Sequence, residues 1–445
     1  MTGPAPEVHL DPAPSDAGGA PLRTTPSWWS SEPTDQELSR RAALGTPVLG
    51  EVRDIEGNRM VEATFLWEAG AADHAAVGAH ASPQVMVHLN SFTDNHREDI
   101  APALLQEVPG TGWFALTYLL PADGVFSYRL VVREEPFPAD VGKERAGWMA
   151  VHQAGRSDPH CRRTLSDPRY QDSSVFVGPE AYLHPDWEEG SDDPGPWTRQ
   201  EFEVLDRPVA LLRGSGPGPR RLLVLLDGEM WRGGDAATHL AGRAQNWDLL
   251  LVDSGTMQQR AQDLPDHERA ADLVSRSIVA AASVANPEPA WATDPAHVVV
   301  AGFSFGGLAV ANIVLRHPEI ARTGIAQSGS YWWAGVMPQT HDVDPEAAVG
   351  GELLTWIRGR PAGELAAFPG RLVVQVGTEE GHMVAGSRAL VDLLDSTDSL
   401  ISFQEWRGGH DFAWWRHGLS VALDALEGTR VGTPPPAMCA RSGPS

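Results

Sequence analysis

Cysteine is nearly missing from this chain. Cys161 and Cys439 are the only two among 445 residues, and Cys439 sits in a Pro-rich tail, so no disulfide framework is visible and a reducing compartment suits the chain. Basic residues are also scarce: 34 Lys and Arg stand against 59 Asp and Glu, a formal charge of −25. Such a surface repels nucleic acid and anionic lipid, which excludes both as expected partners. No stretch approaches the length of a membrane span. Met1 to Ala20 holds neither Lys nor Arg and no apolar run, so an ordinary secretory signal is not expected there and the chain reads as cytoplasmic.

What is present is enough apolar material, 42% of the residues, to rule out disorder for the whole chain, and a length that calls for two folded domains. Residues 1–26 and 431–445 are dominated by Pro, Ala, Gly, Asp and Ser and are expected to be disordered tails. Within 27–183 the apolar segments are short, β-branched or aromatic and punctuated by Gly, Pro and Asp: Val61–Trp67, Gln84–Leu89, Trp113–Tyr118 and Phe126–Val131. That pattern predicts a small all-β sandwich. The acidic, Gly- and Pro-rich run Glu188–Pro196 marks a linker, set at 184–197. From 198 to 430 continuous apolar strands, Leu222–Leu226, Leu249–Val252, Val298–Ala301 and Leu372–Val376, alternate with helical stretches such as Ala270–Val284 and Ser387–Leu394. This predicts a doubly wound, mostly parallel sheet of the α/β-hydrolase type.

Chemistry concentrates at Gly302-Phe303-Ser304-Phe305-Gly306. The run follows an apolar strand and opens a helix, the order needed to lift a serine hydroxyl above a sheet edge, with glycines letting the backbone turn sharply. Ser304 is the expected nucleophile, and the Phe305 N–H, at the helix start, one half of an oxyanion hole. A backbone N–H at Gly228 or Glu229, after the strand Leu222–Leu226, is the candidate for the other half. Of sixteen histidines, His410 follows an apolar segment, Leu400–Phe403, and a glycine pair, which suits a general base; His417 reads as structural. The acid is expected after Leu372–Val376: Glu380 is preferred, Glu379 stays open, and Asp411 reads as a loop brace.

Three further segments give the chain a family likeness: Leu226-Asp227-Gly228-Glu229-Met230-Trp231, Gln327-Ser328-Gly329-Ser330-Tyr331-Trp332-Trp333, and Gly408-Gly409-His410-Asp411 with Trp415-Arg416. With Thr64-Phe65-Leu66-Trp67, Asn90–His96, and Leu120-Pro121-Ala122-Asp123 before Ser127-Tyr128, the chain resembles the enterochelin (ferric enterobactin) esterases over about residues 45 to 428. The resemblance implies a cytoplasmic serine esterase that opens the trilactone backbone of a catecholate siderophore. It implies no cofactor and no protein-bound metal, iron entering only with the small-molecule substrate, and it leaves the oligomeric state open. It also implies that Trp231, Trp332 and Trp333 stack on catechol rings, unless they pack in the core, and that Arg260 and Arg416 offset the charge of the iron complex. The alternatives are an esterase or acyltransferase for another macrolactone or depsipeptide, and a hydrolase fold reduced to a binding module.

Overall fold

A computed structural model describes residues 10–428 except 18, 30–32, 70–82, 139, 189–194, 217, 287–288, 336–344 and 396, and describes 441–442 beyond them. The centre of the expected linker, the first nine residues of the expected amino-terminal tail and most of the expected carboxyl-terminal tail lie outside the described residues. From Ser15 onward the amino-terminal segment is hydrogen-bonded: Ser15 bridges Pro21, the Thr24 N–H donates to the Thr117 carbonyl at 3.2 Å, and the Leu119 N–H donates to the Leu22 carbonyl at 2.8 Å.

The described residues fall into two compact units. One holds Asp11–Tyr182 together with Arg407–Trp414; the other holds Leu10, Leu183–Trp406 and the described chain from Trp415 onward.

The first unit is all-antiparallel. Strands β1 (Val48–Ile55), β2 (Asn58–Glu68), β4 (Gln106–Glu107) and β5 (Trp113–Pro121) form one sheet in the order β1-β2-β5-β4. Strands β3 (Gln84–Leu89), β6 (Val125–Arg133), β7 (Thr164–Leu165) and β8 (Ser173–Val177) form a second, in the order β3-β6-β8-β7. Phe65 on β2 meets Tyr128 on β6 edge-on at 4.9 Å and Tyr118 on β5 at 6.2 Å. One apolar cluster thus contains residues of both sheets, which makes the unit a sandwich as its alternating short strands predict.

The second unit is built on strands β9 (Thr198–Val204), β10 (Arg207–Arg213), β11 (Arg221–Leu226), β12 (Trp247–Val252), β13 (Val298–Phe303), β14 (Thr323–Gln327), β15 (Arg371–Gly377) and β16 (Leu400–Trp406). Their order is β16-β15-β14-β13-β11-β12-β10-β9, with β11 to β16 parallel and the β9–β10 hairpin antiparallel at one edge. The two-residue strand Arg441–Ser442 pairs antiparallel with β16. Every residue of β12 and β13 is buried, as a sheet covered by helices on both faces requires. This is the α/β-hydrolase architecture read from the sequence. The chain winds from β11 to β12 on one side and returns to β13 on the other, so the carboxyl ends of β11 and β13 flank the crevice where ligands bind in open α/β sheets.

Three glutamines, Gln327, Gln375 and Gln404, sit side by side on β14, β15 and β16. Gln327 Nε2 donates to Gln375 Oε1 at 2.8 Å and to the Trp415 carbonyl at 2.8 Å; Gln375 Nε2 donates to Gln404 Oε1 at 2.6 Å and to the Gly418 carbonyl at 2.9 Å. Buried amides are tolerated only when bonded in this way. The ladder fastens helix Phe412–Glu427 to the sheet at the end that carries the site.

Candidate functional site

Ser304 stands between β13 and helix Phe305–Arg316 with φ 59° and ψ −123°. A non-glycine residue in this region carries about 1–3 kcal/mol of strain, so its surroundings must enforce it. They do so from both directions. The Ser304 N–H donates to the Gln327 carbonyl at 3.0 Å, and the Ser304 carbonyl accepts from Leu308 and Ser330, each at 3.1 Å. Gly302 and Gly306 pass so closely that a Cβ on Gly302 would lie 2.8 Å from the Gly306 carbonyl group. The pentapeptide spacing is therefore a packing requirement, and the half-exposed Ser304 lies just ahead of the first helical N–H, that of Phe305.

Asp227 ends β11 in the left-handed conformation, φ 57° and ψ 46°. Its fully buried carboxylate takes a bidentate pair from Arg260, Nε to Oδ1 at 2.7 Å and Nη2 to Oδ2 at 2.9 Å. Gly228 follows where a Cβ would lie 2.7 Å from the Val252 nitrogen, so glycine is what lets this loop sit against β12. Arg260 is 7% exposed, its planar fork matched to Asp227. The structure gives that guanidinium a partner inside the protein, Asp227.

The tryptophans divide. Trp231 is fully buried, its Nε1 donating to the Leu226 carbonyl at 3.0 Å, and its ring lies 6.1 Å from Phe303 and 6.4 Å from Trp187. That is the core-packing outcome. Trp332 and Trp333 are half-buried and gather around the residue after the nucleophile candidate: their rings lie 6.0 and 5.4 Å from Phe305. His382 adds a fourth ring, 6.0 Å from Trp332. Arg416 lies over the Trp187 ring at 5.8 Å.

Glu380 follows β15 and is 7% exposed; its Oε1 accepts from the Gly377 N–H at 2.7 Å and from Ser328 Oγ at 2.6 Å. Ser328 Oγ in turn accepts from Trp415 Nε1 at 2.8 Å, and Trp415 stacks on Phe303 at 4.3 Å. A hydrogen-bonded chain, Trp415 to Ser328 to Glu380, thereby fixes the carboxylate, which makes it a built feature and not a solvated loop acid. Glu379, also buried, accepts from its neighbour Thr378 Oγ1 at 2.9 Å.

His410 lies on a loop grouped with the first unit. Its N–H donates to Ser91 Oγ at 2.8 Å and its carbonyl accepts from Asn90 Nδ2 at 3.2 Å. A Cβ on Gly409 would lie 2.6 Å from Ser91 Oγ. Asp411 is buried; its carboxylate accepts the N–H groups of Ser127 and Ala413. Burial pushes that carboxyl above its usual range, against the pull of those two donors. His417 is fully buried, and its Nδ1 accepts the His184 N–H at 3.0 Å. Ser91, Ser127 and Ser328 are the positions that residue-by-residue reading did not single out. All three did lie inside segments that carry the family likeness: Asn90–His96, Ser127-Tyr128 and Gln327–Trp333.

Among the described residues no helix is long and apolar enough to cross a membrane. Residues 62–187 match the family model described as enterochelin esterase, N-terminal. The iron(III) enterobactin esterase of Escherichia coli (strain K12) is 27% identical over 419 residues, covering 89% of this chain and 95% of the relative. The iron(III) salmochelin esterase of Escherichia coli O6:H1 is 25% identical over 398 residues, covering 87% and 92%. The crystal structure of the enterobactin esterase FES from Shigella flexneri, in the presence of enterobactin, matches with a TM-score of 0.68 at 25% identity, covering 85% of this chain and 96% of that one.

Proposed function

We propose that this chain, which belongs to the enterochelin esterase family, is a serine esterase that hydrolyses the trilactone backbone of an enterobactin-like catecholate siderophore, working in the cytoplasm. The observation that carries the proposal is the strained, glycine-enforced Ser304 between β13 and its helix, at the carboxyl end of a parallel sheet.

In this reading Ser304 Oγ attacks an ester carbonyl while His410 takes its proton. The oxyanion is met by the Phe305 N–H and by an N–H at Gly228 or Glu229, backbone donors of the kind that stabilise charge as it develops. The intermediate collapses as His410 returns the proton to the departing serine hydroxyl of the lactone, leaving an acyl-enzyme. Water, deprotonated by His410, then releases the linear product. Glu380 stabilises the imidazolium, and its anchoring by Ser328 and Gly377 supports that role over Glu379. Trp332 and Trp333 are the aromatic surfaces suited to catechol rings, being half-buried beside Phe305. The substrate is a small molecule and brings its own iron.

The test is to mix the purified chain with ferric and iron-free enterobactin and to follow products by mass spectrometry, beside Ser304→Ala. Linear fragments from the wild type alone are expected. Turnover by Ser304→Ala at the wild-type rate would remove the mechanism, and turnover of neither form would remove the substrate class.

A further inference from the structure

Two histidines and an aspartate converge in the sandwich unit, apart from every residue used above for chemistry. His88 is the penultimate residue of β3, Asp94 lies in the turn that follows, and His152 lies near the end of helix Arg145–Ala154. His88 Nε2 and His152 Nε2 each lie 3.4 Å from Asp94 Oδ1, the two imidazoles are 4.1 Å apart by ring centre, and the three ligand atoms lie within 4.8 Å of one another. The geometry points to a binding site for one divalent transition-metal ion, of zinc-like preference, held by His88, Asp94 and His152.

The distances carry the assignment. Zinc–nitrogen and zinc–oxygen bonds of about 2.0–2.1 Å, opened to a tetrahedral angle, put neighbouring ligand atoms about 3.4 Å apart. Both histidine–aspartate edges have that length. A 3.4 Å separation is by contrast long for a charge-assisted hydrogen bond, which closes to about 2.7–2.9 Å. The surroundings orient the carboxylate as metal sites require: Trp148 Nε1 donates to Asp94 Oδ1 at 2.7 Å and the Ser91 N–H donates to Oδ2 at 2.9 Å.

Of the guanidinium groups nearby, Arg97 Nη1 donates to the Asp94 backbone carbonyl at 3.2 Å and Arg129 is paired with Asp167 at 2.9 Å. Two nitrogens and one carboxylate oxygen suit zinc and its neighbours in the first transition row, whereas magnesium and calcium prefer all-oxygen sites. His152 and Asp94 are half-buried, which leaves an ion a way in. Because the same carboxylate caps Ser91, and Ser91 holds the His410 N–H, an ion here would also stiffen the turn beneath the His410 loop.

The probe is Co²⁺, added to the full chain after chelator treatment, with Zn²⁺ and Mg²⁺ as competitors. One equivalent of Co²⁺ is expected to give the intense visible bands of a four-coordinate site, with Zn²⁺ abolishing them and Mg²⁺ leaving them intact. His152→Ala is the decisive variant, because His152 is half-buried at a helix end and its loss leaves the sandwich core in place. It should weaken Co²⁺ binding by about 100-fold while the far-ultraviolet circular dichroism stays unchanged. Absence of the bands in the wild type would overturn the assignment, and so would bands that persist at unchanged affinity in His152→Ala.

Discussion

The Ser304 turn and the His410 loop serve one proposed reaction but are built in opposite ways. The turn is held largely by neighbours in its own sheet: glycines at 302 and 306, the Gln327 carbonyl one strand away, and the Asp227–Arg260 pair behind it. The His410 loop is held by partners remote in sequence. Asn90 and Ser91 are 320 and 319 positions away, and Ser127 is 284 away from Asp411. A local turn tolerates little change in its own letters, whereas a loop tied by distant side chains fails by losing its tether.

The largest expected effect tests the chemical equality of the two regions. Ser304→Ala and His410→Ala should each lower kcat by about 10⁴-fold or more, and the double variant should be no worse than either single one, as for residues that act as a unit. Additive losses in the double variant would break the pairing. The next effect concerns stability. Asp227→Ala strands a buried Arg260 and should cost about 3–5 kcal/mol in urea unfolding, whereas Asp411→Ala strands two backbone N–H groups and should cost about 1–3 kcal/mol. The reverse order would mean that the His410 loop, not the serine turn, is the stiffer region.

Ser91→Ala removes one tether of the His410 loop. A lost hydrogen bond of about 1.5 kcal/mol expressed in the transition state gives about a tenfold fall in kcat with KM nearly unchanged. An unchanged kcat would show that the loop holds its place without Ser91. The smallest effect is a pH dependence. Burial raises the Asp411 carboxyl in the folded chain above its ordinary value of 3.8, so the folded state binds that proton more tightly than the unfolded one. Stability should therefore fall as pH rises from about 4 through the raised value, and the wild-type curve of urea midpoint against pH should show a descending segment that Asp411→Asn lacks.

The same contrast explains what the sequence made legible. The serine turn was readable because its determinants are adjacent letters: an apolar strand, spaced glycines, then a helix. The parallel sheet was readable from Leu222–Leu226, Leu249–Val252, Val298–Ala301 and Leu372–Val376, which lie within β11, β12, β13 and β15. Strand β14 was not, because Thr323-Gly324-Ile325-Ala326-Gln327 is short, carries a glycine and lacks a clear apolar run. The pairing of Arg260 with Asp227 was not legible, because a buried arginine and a ligand-facing one look alike until such a partner is located in space. The His88, Asp94 and His152 cluster was equally invisible, since no ligand spacing connects a strand end, a turn and a helix 58 residues further on.

Covalent trapping tests the central claim most directly. An alkyl fluorophosphonate should add once per chain, at Ser304 by peptide mass spectrometry, and His410→Ala should slow that addition by at least about 100-fold because the hydroxyl loses its base. Addition at a different serine, or labelling of Ser304 at an unchanged rate in His410→Ala, would contradict the account.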